Sequence, residues 1–411
     1  MGKINILVVP SDNIGGVGFY RSTQPHIQLQ EQFPDDFDVT INMQPNFRDL
    51  PSFDKYQIVH IHKALFQDMQ GFYMFLNYAK HKGIKTIMDI DDYWDLGMHH
   101  PQAASQRQYG IDKMIKQNIM NFDYVTTTTP FFADKIRPLN KKVYTFPNAI
   151  NPEDERFKIS KAPSEFLRVG LIMGSTHEYD VALLNNISAL PKDVLDKVQF
   201  VLCGFDLRGT IKIINKETGE VQERPIEPKE SVWYRYEKMV TDNYRIVDKD
   251  YKDFLELFLN NVQYPNVEKE HYKRCWTKDI NHYYSHYNEI DVLLAPIEKN
   301  DFNLVKSPLK VAECAFSHTA IIASDYGPYT LDLVNAREKG GNWNPEGNAL
   351  LVDQSRNHKD WKKYVELLVK HPEYVKQLQD NLYRDVHEKY DLRNVTVDRA
   401  EFYKKIVKGE I

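Results

Sequence analysis

The chain has 411 residues, 42% apolar and 27% charged, with a formal net charge of −5 at pH 7, ordinary values for two or three folded domains with ample core. Both signs of charge are spread along the chain, which argues against a dedicated nucleic-acid binder. Cys203, Cys275 and Cys314 are far apart, odd in number and without metal spacing, so neither a disulfide framework nor a zinc site is expected.

The opening run Met-Gly-Lys-Ile-Asn-Ile-Leu-Val-Val-Pro is too short for a secretory signal and reads as a first strand. No apolar run is long enough to cross a membrane, and the cytoplasm is the expected location. Through the first half, short apolar runs alternate with amphipathic stretches, the pattern of a parallel sheet with crossover helices. Strands are predicted at 4–9, 38–41, 58–61, 85–88, 124–127 and 143–146, and helices at 20–32, 65–82 and 106–121. The turn-forming run Phe146-Pro147-Asn148-Ala149-Ile150-Asn151-Pro152 and the polar stretch 158–165 then mark a boundary, giving a first domain over 1–160.

The alternation restarts with a strand at 167–173, a helix at 181–188 and a strand at 198–202. Residues 208–280 break it and read as an insertion: 210–214 and 220–224 flank the turn Lys216-Glu217-Thr218-Gly219 as a hairpin, and the aromatic stretch 232–251 follows. The rhythm resumes with a strand at 291–295, a helix at 308–315 and strands at 320–323 and 349–352, before long helices that run to the end. A second domain is therefore expected over 165–390, with 391–411 as a final helical segment. The fold class is α/β, two doubly wound units facing across a cleft. In such sheets ligands sit beyond the carboxyl ends of the strands, so the loops after strands carry the functional information.

After the first strand, Gly15, Gly16 and Gly18 lead into a helix whose N-terminus favours an anion. Arg21 replaces the third glycine of a dinucleotide fingerprint, so a nicotinamide-dependent oxidoreductase rests on this loop alone. Gly16 and Gly18 are candidate donor contacts and Arg21 a phosphate or sugar partner; a tight turn without ligand is the plain alternative. His60 and His62 alternate on the third strand, with His62 at its end facing the cleft. Either an acceptor contact or a structural role fits, and two histidines alone do not make a metal site.

Asp89, Asp91 and Asp92 follow the fourth strand directly and repel one another, so at least one needs a partner. They suit a metal-free acceptor site, a magnesium-binding Asp-x-Asp, or a helix cap. In the second domain Gly174, Ser175, Thr176 and His177 close a strong strand and open a helix, offering N–H and hydroxyl donors to a phosphate, or simply an N-cap. Lys306 and Ser307 precede a helix that starts at Pro308 and Leu309. With Lys310 they form a compact positive site for a diphosphate, and Glu313, about one and a half turns in, can reach a ribose.

The order Gly174-Ser-Thr-His177-x-x-Asp180, Asp291-Val-Leu-Leu-Ala-Pro296, Lys306-Ser-Pro-Leu-Lys-Val-Ala-Glu313, Ile322-Ala-Ser-Asp-Tyr-Gly327 and Gly347-Asn-Ala-Leu-Leu351, with Gly15-Gly16-Val-Gly18 and Pro147-Asn148-Ala-Ile150 before it, resembles the GT-B glycosyltransferases, specifically the retaining glycosyltransferase family 4 (group 1). The resemblance covers most of the chain apart from the insertion. It implies two Rossmann-like domains, an acceptor-binding first and a nucleotide-sugar-binding second, with the final helix crossing back to the first. It further implies metal-independent transfer with retention from a UDP- or GDP-linked sugar to a glycan or lipid-linked acceptor, as in polysaccharide biosynthesis, the donor phosphate helping to deprotonate the acceptor. No cofactor and no nucleic-acid partner are implied, and peripheral membrane contact is compatible with a lipid-linked acceptor.

By the same resemblance Glu313 matches the second glutamate of the family's Glu-x7-Glu motif and holds the ribose, while 306–309 lines the diphosphate. Asp91, Lys306 and Lys310 are then the expected catalytic residues, and Arg21, His62 and Asp92 the acceptor contacts. Two positions depart from the family: Val305 stands where the first glutamate is usual, and Asp91 where a histidine is usual. They support an alternative, a degenerate GT-B protein that binds nucleotide or glycan without turnover.

Overall fold

The computed structural model describes residues 2–12, 15–185, 187–206, 210–214, 221–227, 230–241, 271–338, 340–356 and 359–411. The turn at 216–219, the far half of the stretch 232–251 and the first two residues of the Asn13-to-Arg21 loop lie outside them.

In the first half, β1 (Ile4–Val9), β2 (Phe37–Ile41), β3 (Ile58–His62), β4 (Lys85–Asp89), β5 (Tyr124–Thr127) and β6 (Val143–Thr145) form one parallel sheet in the order β2-β1-β3-β4-β5-β6. Every residue of β3 and β5 is buried, as expected for parallel strands covered on both faces. Helix Met69–Lys82 begins where the Asp68 carboxylate accepts from the Gly71 N–H and ends at Gly83 with φ 73°, an N-cap and a left-handed C-terminal stop. Its Phe72, Phe75 and Ala79 pack one face of the sheet.

The second half contributes β7 (Leu167–Ile172), β8 (Val198–Phe205), β9 (Thr210–Ile214), β10 (Val221–Pro225), β11 (Tyr272–Trp276), β12 (Val292–Ala295), β13 (Ala320–Ser324) and β14 (Leu350–Val352). Six of them make a second parallel sheet, β11-β8-β7-β12-β13-β14, and β9 and β10 pair as a separate antiparallel hairpin. The two doubly wound α/β halves are thus as the sequence predicts.

Three local expectations change. The helix expected at 106–121 is two, Ala103–Gln108 and Ile111–Asn121, broken at Gly110 with φ 62°. The helix expected at 181–188 is a short turn, Glu178–Val181, followed by a 3₁₀ turn, Ala182–Leu184, and ends where Asn185 becomes extended at ψ 131°. The stretch read as an insertion to residue 280 returns earlier, because β11 pairs with β8 as the sheet's edge strand. Its charge conceals it: Lys273 pairs with Glu289 and Arg274 with Glu237, so the strand lacks an apolar alternation.

Helix Pro372–Tyr390 covers the second sheet through Leu378, Leu382 and Val386. The chain then turns at Asp391, and helix Leu392–Lys408 lies on the first sheet, where Val395, Phe402, Tyr403 and Ile406 meet Ile6, Val8, Phe37 and Ile58. The two interdomain crossings touch: Ile150 N–H donates to the Tyr390 carbonyl at 2.9 Å and Leu392 N–H to the Ile150 carbonyl at 2.8 Å.

Candidate functional site

In each sheet the strand order reverses beside the first strand of its half, between β1 and β3 and between β7 and β12. Crevices form at such switch points. In the second half the flanking loops are 173–177 after β7 and 296–308 after β12. Asp180 ties them together: its carboxylate accepts from His177 Nδ1 at 2.7 Å, from the Glu298 N–H at 2.7 Å and from Asn303 Nδ2 at 2.9 Å. Burial alone would raise this carboxyl, but the His177 hydrogen bond and the Lys306 charge hold it below its ordinary range.

A cavity of about 910 Å³ opens between the domains here, within the range of ligand sites. Gly174, Ser175, Thr176, His177, Lys306, Ser307, Leu309 and Lys310 border it from the second domain, and Asp91, Asp92 and Asn148 from the first. Gly174, Ser175 and Thr176 are exposed. Lys306 Nζ is 3.4 Å from His177 Nδ1 and lies over the Phe302 ring at 4.9 Å, with no carboxylate in ion-pair distance among the described residues. Desolvation, with only partial compensation from Asp180 and Asp92, lowers its pKa. The Ser307 hydroxyl beside it is buried without a partner. Pro308 is the N-cap of helix Leu309–Phe316, and no side chain caps that helix. Its first N–H groups and the free cation share one wall, a natural seat for an anion.

Lys310 and Glu313 are arranged differently from expectation. Lys310 Nζ donates to Tyr283 Oη at 2.7 Å and lies 3.5 Å from Glu313 Oε2; burial opposes its charge, but Tyr283 and Glu313 raise its pKa overall. Glu313 has no exposed surface, accepts from Tyr287 Oη at 2.7 Å, and keeps Oε1 buried without a partner. Its carboxylate therefore stands behind Lys310 and Tyr283, which border the cavity while it does not.

On the first-domain side the structure separates the three aspartates. Asp89 is fully buried and bidentate with Arg21 at 2.7 and 2.8 Å, and Thr126 Oγ1 donates to it at 2.6 Å. Arg21 also donates to the Phe146 carbonyl and to Asn148 Oδ1 and has no exposed surface. Arg21, expected to contact acceptor, is committed to locking strand ends together and does not border the cavity. The helix start at Gly16 and Gly18 is likewise occupied: Asp12 accepts from the Gly15 N–H at 2.6 Å and the Gly18 N–H at 3.2 Å. A Cβ on Gly18 would lie 2.4 Å from the Asp12 carbonyl oxygen. The anion at this glycine loop is the chain's own carboxylate, and neither Gly16 nor Gly18 borders the cavity.

Asp91 faces the cavity. It accepts from His62 Nε2 at 3.0 Å and lies 3.3 Å from Lys63 Nζ, which also pairs with Asp92 at 2.7 Å. Burial would raise the Asp91 carboxyl, but Lys63 and the His62 hydrogen bond hold it well below the usual range. His62 is 2% exposed and bonded on both nitrogens, Nδ1 meeting Ser11 Oγ at 2.8 Å, so it positions Asp91 rather than opening to the cleft. His60 points into the core beside His26, 4.6 Å between ring centroids, and burial lowers its pKa to about 3.

Val305 is fully buried in the first domain's apolar cluster, and its carbonyl accepts from Thr129 Oγ1 at 3.3 Å. Several cavity residues carried no sequence signal: Asp206, Trp233, Lys278, Tyr283 and His286. Of these, Trp233 and Lys278 come from the stretch read as an insertion, Trp233 in helix Val232–Thr241 and Lys278 just beyond the charged strand β11.

No protein-family model and no curated protein sequence matches the chain. Solved structures do. Anabaena HepE in complex with UDP-glucose superposes with a TM-score of 0.55 at 10% identity, over 98% of this chain and 100% of that one. An α,α-trehalose-phosphate synthase (UDP-forming) from Burkholderia vietnamiensis gives 0.55 at 10% identity over 100% and 98%. The catalytic domain of starch synthase IV from Arabidopsis thaliana, bound to ADP and acarbose, gives 0.53 at 11% identity over 99% of each chain. The chain has the GT-B fold. Its two Rossmann-like sheets face one another across the cavity, which the second half lines with its switch-point loops and the first half with the segments after β4 and β6.

Proposed function

We propose that this GT-B protein is a glycosyltransferase of the family 4 type, moving a sugar with retention from a nucleoside-diphosphate donor to a glycan or lipid-linked acceptor without a metal. The observation that carries the reading is Lys306: an ammonium group on the cavity wall with no carboxylate partner among the described residues, beside an unpartnered Ser307 hydroxyl and an uncapped helix start. A buried or half-buried charge without a counter-ion is costly, and a diphosphate would supply the missing charge. UDP-glucose and ADP, the ligands of HepE and starch synthase IV, are donors and products of that class.

In this reading Gly174, Ser175, Thr176, His177 and the 306–309 backbone cradle the phosphates, with the sugar toward Asp91 and Asp92. Lys306 and Lys310 stabilise the charge that develops on the departing diphosphate, the dominant contribution to rate in such chemistry. The diphosphate oxygen takes the proton of the acceptor hydroxyl. Asp91, fixed by His62 and Lys63, accepts hydrogen bonds from the sugar or the acceptor. Each strand-end aspartate already has a basic partner, Arg21, His62 or Lys63, which favours the metal-free assignment over a magnesium-binding one. Glu313 reaches the ribose once Lys310 and Tyr283 shift from its carboxylate.

A thermal-shift screen with UDP, GDP, ADP and their sugars tests the proposal, since a ligand at 100 times its Kd adds about 2.7 kcal/mol of stability. One base should stand out. Lys306→Ala should weaken that nucleotide about 10- to 100-fold, the ~1.5–3 kcal/mol of a hydrogen bond to a charged group, without lowering the unliganded melting temperature. If no nucleotide shifts the wild type, the reading fails. Donor hydrolysis in the absence of acceptor then separates an enzyme from a protein that only binds.

A further inference from the structure

Cys203 and Cys275, far apart in sequence, are register partners on the neighbouring parallel strands β8 and β11. Register partners on parallel strands send their side chains to the same face, and both thiols belong to one apolar cluster, Cys203 fully buried and Cys275 half-buried at its margin. Strands in a sheet lie about 4.7–4.9 Å apart, and a disulfide needs Cα atoms about 4.4–6.8 Å and Cβ atoms about 3.5–4.5 Å apart. A Cα separation set by that strand spacing falls within the disulfide range, and the Cβ atoms must approach to about 3.5–4.5 Å. Here the sheet can give: β11 is an edge strand held on one side, and its register shifts immediately after Cys275.

The position is also informative. The chain leaves the second sheet from β8 and returns to it in β11, so the two cysteines stand at the exit and return of the intervening segment. Cys203 borders the interdomain cavity, as do Thr277 and Lys278, just beyond Cys275. We propose that Cys203 and Cys275 form a reversible dithiol–disulfide pair, closed by exchange with a small disulfide of the oxidised-glutathione class, which staples this segment at its base and fixes the adjoining cavity wall.

Exchange begins at the more accessible thiol. Cys275 as thiolate attacks one sulfur of the small disulfide, forming a mixed disulfide and releasing one small thiolate. Cys203 then loses its proton and attacks the Cys275 sulfur, releasing the second small thiol. Two protein thiols are oxidised to one disulfide and one small disulfide is reduced to two thiols. Burial first, and then the neighbouring Cys275 thiol, push the Cys203 thiol well above its ordinary pKa, which makes this closing step the slow one.

The test uses the native full-length protein. It is incubated with oxidised glutathione, alkylated in denaturant and mapped by mass spectrometry. A Cys203–Cys275 cross-linked peptide lacking two hydrogen atoms is expected, reversed by dithiothreitol, retained in Cys314→Ser and lost in both Cys203→Ser and Cys275→Ser. Should either of the last two variants fold poorly, the wild-type map stands alone as the readout. Accumulation of only the mixed disulfide on Cys275, a cross-link that includes Cys314, or a cross-link that appears only after unfolding would each overturn the proposal.

Discussion

Arg21 and Asp89 show how a single pair can hold a domain together without touching ligand. Burial pushes the Asp89 carboxyl up, but Arg21 overrides it and brings the pKa to about 2. The folded-state value lies below the unfolded one of about 3.9, so the folded chain binds fewer protons; the contribution is present above about pH 4 and is lost as pH falls toward 2. Asp89→Asn should therefore cost stability at neutral pH, and chemical denaturation should show the gap to wild type narrowing by about 1.5–2 kcal/mol between pH 6 and pH 2.5. A gap that widens on acidification would contradict the assignment. Asp91 is the opposite case, a fixed carboxylate that borders the cavity. In Asp91→Ala, Lys63 keeps Asp92 as partner, so the fold should survive. Turnover should fall at least about 100-fold, on the scale of positioned acid–base groups, with nucleotide binding intact by thermal shift; unchanged turnover would remove Asp91 from the mechanism.

At the scale of elements, what the sequence conveys depends on how strongly a segment's own pattern agrees with its environment. β1 and β5 fall at the predicted residues because they are short, rich in β-branched and aromatic residues, and largely buried. β11 escapes notice because it carries Lys273 and Arg274, whose largely buried side chains pair with Glu289 and Glu237. Helix Leu392–Lys408 lies far along the chain from the sheet it covers, yet it supplies much of one apolar cluster of the first domain. Phe402 is 5% exposed and packs edgewise on Tyr124 and obliquely on Tyr144 and Phe146. Phe402→Ala should cost about 3–5 kcal/mol of stability as a cavity-forming substitution. A loss well under 1 kcal/mol in urea would mean that the helix is dispensable to the first sheet.

For the whole molecule, the contact between domains decides what individual motif positions can do. Val305 stands where the family that the sequence resembles has a glutamate, but its side chain fills the first domain's apolar cluster. Val305→Glu therefore does not rebuild a sugar contact; it buries a carboxylate in an apolar cluster at the interdomain seam. The expected result is a protein destabilised by several kcal/mol, with weaker donor turnover rather than stronger. A stable Val305→Glu variant of higher activity would show that this seam is not the resting arrangement. The same seam carries the Lys135–Asp301 pair at 3.0 Å and the stacked rings of His99 and Tyr179, 4.2 Å between centroids.

The sequence by itself determined two α/β halves, nearly all of their strands and the cluster of Lys306, Ser307 and Lys310 at a helix start, because parallel strands and the loops after them are local patterns read within a few residues. Only the tertiary structure decided which polar groups remain free. Arg21 finds Asp89, Asp12 fills the glycine loop, Glu313 retreats behind Lys310, and Cys203 meets Cys275. Each partner is distant in sequence or on another strand, and the competition among them for charges and hydrogen bonds is settled by packing. That is why Lys306, the cation without a carboxylate in ion-pair reach among the described residues, marks the site more sharply in three dimensions than it does in the sequence.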